Sequence, residues 1–220
     1  MANRLALFDC DGTLVDSQHN ICTAMDRAFE AVKLAPPPRH HTLAVVGLSL
    51  PQAMAVLLPD AEADFHMHMA DQYKLMFQAM RGQGVVDEPL FEGVAELIER
   101  LDADGWLLGV ATGKSDRGLN LCLASHGLSA RFVTLQTADR HPSKPHPSMI
   151  EQAMADAGAV AETTAMIGDT SFDMEMAVNA GTRALGVGWG YHSRKELVMA
   201  GALSVAVDAG ELYRHIGGHE

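Results

Sequence analysis

Asp9 and Asp11 stand two residues apart in LALFDCDGTLVDS (Leu5 to Ser17), directly after a short apolar run and directly before a glycine. Two carboxylates so close repel each other and resist burial, so a buried strand that ends in both calls for positive charge between them. Further polar groups follow other apolar runs. Thr112, Gly113 and Lys114 come after WLLGVA, Lys144 lies in SKPHP after FVTLQT, and Asp169 and Asp173 follow TTAMIG. In an open α/β sheet, ligands bind beyond the carboxyl ends of the strands, so groups from four strands should converge on one rim. Clustered carboxylates that stay ionised need a cation, and an all-oxygen donor set suits Mg²⁺. Thr112 offers a hydroxyl next to backbone N–H groups at a helix start, which favours an anion. Lys144 adds a compact positive charge. Metal, anion cradle, cation and two carboxylates with different roles are the parts that phosphoryl transfer needs.

The elements that must position these groups are legible in the apolar spacing. Leu5–Phe8 reads as a buried strand. From Ser17 to Val32 the spacing turns helical, with Asp16 or Ser17 as N-cap, and further helices are expected over Pro51–Leu58 and Ala61–Met80. His40 and His41 are expected in a loop, and no strand pattern occurs between Val15 and Val85. Beyond that, helical and strand patterns alternate to the end of the chain, which implies a parallel sheet covered on both faces. The expected fold is therefore α/β: a Rossmann-like three-layer core with a central parallel sheet (residues 1–15 and 86–220) and an all-helical cap (16–85) inserted after the first strand.

Bulk properties narrow the function. The 220 residues carry a net charge of −12, which disfavours nucleic acid and anionic membranes as partners. The three cysteines, Cys10, Cys22 and Cys122, match no zinc spacing and read as free thiols of a reducing, cytoplasmic setting. Cys10 should face away from the two aspartates and serve packing.

The stretches DCDGTLVDS, VATGK, SKPHP and GDTSFD resemble the four motifs of the haloacid dehalogenase superfamily, in the family's order and over nearly the whole chain. The helical segment resembles the cap of its phosphoglycolate phosphatase-like branch. The resemblance implies that Asp9 attacks phosphorus, giving an aspartyl-phosphate, and that Asp11 first protonates the leaving oxygen and then activates water. It implies Mg²⁺ on the Asp9 and Asp169 carboxylates and the Asp11 backbone carbonyl, with Asp173 supporting from outside. Thr112 and the Gly113 backbone would hold phosphate oxygens, and Lys144 would neutralise the phosphate and orient Asp9. Each residue also has an ordinary structural reading: a strand-end turn, a β-to-α turn, a solvated loop lysine, an acid in a helix's first turn.

Within the superfamily, an aspartate at position 11 points to phosphate chemistry rather than dehalogenation. VVGLSLPQAM lacks the cap lysine of phosphonate-cleaving relatives. Leu50 and Ile21 stand where sugar-phosphate mutases carry arginine and histidine. The expectation is a phosphatase, monomeric or homodimeric, for a small phosphorylated metabolite, with phosphoglycolate as the family precedent. Sugar-phosphate mutase, pyrophosphatase and a regulatory binding protein of the same fold are the alternatives.

Overall fold

A computed structural model describes residues 2–217. Its strands are β1 (Asn3–Phe8), β2 (Leu107–Thr112), β3 (Thr134–Thr137), β4 (Ala159–Gly168), β5 (Arg183–Val187) and β6 (Ser204–Ala206). They form one sheet in the order β3-β2-β1-β4-β5-β6, with every pair parallel. Between β1 and β2 come α1 (Gln18–Ala31), α2 (Arg39–Leu43), α3 (Leu50–Leu57), α4 (Ala63–Gly82) and α5 (Val94–Ala103). The remaining helices are α6 (Asp116–Ser125), α7 (Ser148–Ala157), α8 (Ser171–Asn179), α9 (Arg194–Met199) and α10 (Ala209–Gly217).

The strand period of two sorts β1 between two cores. Ala6 and Phe8 join one apolar cluster with Leu108, Val110 and Leu119, while Leu5 and Leu7 join the opposite one with Met149, Ile150 and Met166. Burial on both faces explains why the strands are apolar runs rather than alternating ones. Cys10 belongs to the first cluster, with its sulfur 4.0 Å from that of Cys122, so it packs as expected. The helices α1, α3 and α4 enclose an apolar cluster of their own, built on Met25, Phe29, Met54, Met69 and Ala70. No helix among the described residues is long and apolar enough to cross a membrane.

Three readings need correction. His40 and His41 lie in α2, a single helical turn too short to show periodicity. β4 begins four residues before Thr163, because its first half alternates partly exposed and exposed positions and lacks an apolar run. Ser17 stands at the N-cap of α1, yet its hydroxyl makes no cap bond and is donated to Asp11 instead.

Candidate active site

β1, β2 and β4 are neighbours, so their carboxyl ends bring Asp9, Thr112 and Asp169 to one rim. The Asp9 amide still donates to the Ile167 carbonyl at 2.8 Å, which continues the ladder into the site. The chain then turns at Gly12, where φ is +83° and an added Cβ would lie 2.2 Å from an Asp169 carboxylate oxygen. Both the turn and the close approach require glycine there. Asp169 is fixed from two sides: the Thr13 hydroxyl donates to Oδ1 at 2.8 Å and the Tyr191 amide to Oδ2 at 2.9 Å. Asp173, in the first turn of α8, accepts the Thr170 amide and hydroxyl on Oδ2 at 3.0 and 2.7 Å. Lys144 is fully buried, with Nζ 2.6 Å from Asp173 Oδ1 and 2.9 Å from Asp9 Oδ1.

Carboxylate oxygens of Asp9, Asp169 and Asp173 lie within 4.8 Å of one another, all three residues being buried. One ammonium faces three carboxyl groups there. Burial raises Asp9 to about 6, with Lys144 pulling it down and the Asp173 and Asp11 charges adding to the rise. Burial also pushes Asp169 well above the ordinary carboxylate range, and Asp173 and Asp9 push it further. Lys144 is held above the usual lysine range: burial alone would lower it, but Asp173 and Asp9 outweigh that cost. Both Asp9 carboxylate oxygens are buried without an aligned hydrogen bond; the Lys144 contact is an ion pair of poor angle. Buried, unsatisfied carboxylate oxygens beside a second carboxylate fit a small divalent cation with oxygen preference.

Lys144→Met removes the one ammonium of this group. Breaking a buried ion pair from one side costs about 3–5 kcal/mol. The urea unfolding midpoint should fall accordingly, and added Mg²⁺ should restore part of the loss.

Asp11 is not among the three clustered carboxylates. It accepts from the Ser17 hydroxyl and, at 2.5 Å, from Lys114 Nζ. The Ser17 hydroxyl also lies 3.1 Å from the Tyr191 hydroxyl. Lys114 in turn meets Glu88 at 2.9 Å, and Glu88 meets Arg81 of α4 at 2.7 Å. Burial acts to lower the Lys114 ammonium, but Asp11 and the other negative groups around it raise it well above the usual range. The sequence placed Lys114 at the rim without a role, and Glu88 carried no signal, since it lies in an irregular segment between α4 and α5. Glu88→Gln keeps the shape but weakens the hold on Lys114 and thereby on Asp11. A shift of that kind should lower kcat about tenfold while the fold stays intact by circular dichroism; an unchanged kcat would mean that Asp11 is held without it.

Thr112 is buried and its hydroxyl accepts the Lys114 amide at 3.2 Å. An added Cβ at Gly113 would lie 2.6 Å from the Leu48 carbonyl and 2.8 Å from that of Gly47, so the loop before α3 is seated on the rim. The same loop is tied by the Ser49 amide, which donates to the Ser143 hydroxyl at 2.8 Å, and by Phe172 against Val45, Leu48 and Ala53. A cavity of about 420 Å³ lies between this loop, α4 and the rim, reaching Asp9, Asp11, Thr112 and Gly113. Lys74 is 44% exposed and paired with Asp71 at 3.6 Å, the arrangement of a solvated helix lysine.

A family model described as haloacid dehalogenase-like hydrolase matches residues 6–187. The chain is 38% identical over 201 residues to the probable phosphatase IndB of Dickeya dadantii, covering 89% of this chain and 86% of that protein. It is 27% identical to a phosphoglycolate phosphatase of Xylella fastidiosa, covering 88% and 83%, and 29% identical to the pyrophosphatase PpaX of Anoxybacillus flavithermus, covering 87% and 86%. The crystal structure of a predicted phosphatase from Clostridium acetobutylicum superposes with a TM-score of 0.89 at 24% identity, covering 99% and 100% of the two chains, a likeness of fold.

Proposed function

The chain belongs to the haloacid dehalogenase-like hydrolase family, and from that membership and the geometry of the rim we propose that it is a Mg²⁺-dependent phosphatase of small phosphate monoesters. The observation that carries this reading is Asp9: buried at a strand end, its oxygens free of aligned hydrogen bonds, beside a buried lysine and open to a cavity. Segment 16–85 is then the cap over a core of residues 1–15 and 86–220, and the loop on Gly113 is its contact with the rim.

Asp9 attacks phosphorus, and the P–O bond to the leaving alcohol breaks as the aspartyl-phosphate forms. Asp11, carried on the next turn and held by Ser17 and Lys114, gives its proton to the departing oxygen. Once the alcohol has left, Asp11 takes a proton from water, which attacks the acyl phosphate and releases phosphate with Asp9 restored. Thr112 and the Gly113 amide hold phosphate oxygens through both steps. Lys144 keeps Asp9 aimed and offsets charge, while Asp173, itself fixed by Thr170, holds Lys144. The Asp9 and Asp169 carboxylates, with the Asp11 carbonyl, would hold Mg²⁺, and Asp173 would support them. The bound ion supplies the positive charge that lets a phosphate dianion approach an ionised aspartate.

Chelation should abolish turnover of an aryl phosphate and Mg²⁺ should restore it. Independently of activity, Mg²⁺ at a hundred times its dissociation constant should stabilise the fold by about 2.7 kcal/mol and raise Tm by about 5–10 °C. Full activity after exhaustive chelation, or no thermal shift, would count against the metal assignment.

A further inference from the structure

Resting on the phosphatase reading, the chemistry of the cavity narrows the substrate. Its volume of about 420 Å³ falls in the range of about 300–1,000 Å³ typical of sites for organic molecules of many heavy atoms. A two-carbon phosphorylated acid would leave most of it empty. Beyond the phosphate end, most of the wall is apolar, with Ile21, Val45, Leu48 and Phe77 beside the polar Thr42 and Tyr73.

Three of the four cations on the lining already have carboxylate partners. Lys114 is held by Asp11 and Glu88, and Arg81 by Glu88. Lys74 is half-exposed and paired with Asp71, and Arg117 is exposed on α6. Among the described residues, no buried lining cation lacks a carboxylate partner. A substrate carboxylate would therefore find only the exposed Arg117 uncommitted, and deeper in the cavity it would enter a mostly apolar space at a desolvation cost with no buried cation to offset it.

We propose that this cavity receives the alcohol part of a phosphate ester with an apolar body, an alkyl chain or a flat ring, and rejects phosphorylated carboxylic acids. The phosphate sits against Asp9 and Thr112, and the apolar body extends under the loop before α3 toward Phe77. Selectivity then comes from the area removed from water, not from ionic contacts.

The test is a series of straight-chain alkyl phosphates from methyl to hexyl with the full chain and Mg²⁺, beside phenyl phosphate, 2-phosphoglycolate and pyrophosphate. The value of kcat/KM should rise about fourfold per buried methylene until the cavity is filled. Phosphoglycolate and pyrophosphate should fall at least about tenfold below butyl phosphate. A flat series, or phosphoglycolate as the best substrate, overturns the proposal. Calorimetric binding of the matching alkyl phosphonates, which cannot be hydrolysed, reads the cavity without turnover. Affinity that climbs with chain length alongside absent hydrolysis upholds the cavity's preference and defeats the phosphatase reading instead. Affinity independent of chain length defeats the proposal whatever the turnover.

Discussion

Asp9→Asn removes turnover of every phosphate ester, by about 10⁵-fold or more, with the fold retained. The size follows from what the residue does. Without a carboxylate oxygen to attack, no covalent intermediate forms, and the rest of the site has nothing to complete. Loss of a nucleophile in a well-studied hydrolase costs a factor of that order. The substitution keeps the shape of the side chain and removes a charge that burial disfavours, so stability should not fall with activity. In the metal-free protein it should rise, because a group pushed up to about 6 is largely ionised at neutral pH at a cost to folding. Steady-state rates and a thermal melt on the same preparation check both halves. A variant keeping more than about a hundredth of the wild-type rate would show that Asp9 is not the nucleophile.

Asp11→Asn is expected to split by substrate. An alkyl alcohol is a poor leaving group, so without a proton donor the first step should slow about 10²–10⁴-fold, the usual contribution of general acid catalysis. An aryl alcohol departs with little protonation, so its first step should survive in part. The second step needs a base for water whatever the substrate was, and slows for both. Asp11 lies outside the three clustered carboxylates, held by Ser17 and Lys114. Mg²⁺ binding, read as a thermal shift, should therefore change little in this variant. Equal rates on alkyl and aryl esters would place proton transfer elsewhere.

What the sequence disclosed follows a physical line. A buried parallel strand ends abruptly in polar residues, so Asp9, Thr112, Lys144 and Asp169 were visible as breaks after apolar runs, and the structure brings all four to one rim. Asp173 was readable as a first-turn acid, but its grip on Lys144 depends on two segments meeting in space. Cys10 was legible from the strand period alone. Glu88 and Arg81 were not, because an ion pair between a helix end and an irregular segment leaves no periodic trace. Of Asp16 and Ser17, the two candidate caps of α1, Ser17 takes the cap position, but its hydroxyl is turned toward Asp11, a case of local propensity overridden by the site. α10 spaces Leu212 and Ile216 on one buried face, so its helical pattern is present in the sequence. The cavity's apolar walls come from α1, α3, α4, α6 and the loop before α3. No single stretch of sequence could have announced them.

The covalent route through Asp9 is tested most directly by rapid mixing of Asp11→Asn with an aryl phosphate and Mg²⁺, quenched and assayed for phosphate bound to protein. An aspartyl-phosphate route gives a burst of aryl alcohol approaching one equivalent per active site, then slow turnover. The phosphoryl group should be recovered on Asp9, with no burst when Asp9→Asn is added to the same variant. Linear release from the first turnover with no protein-bound phosphate, or a burst that survives Asp9→Asn, would contradict it.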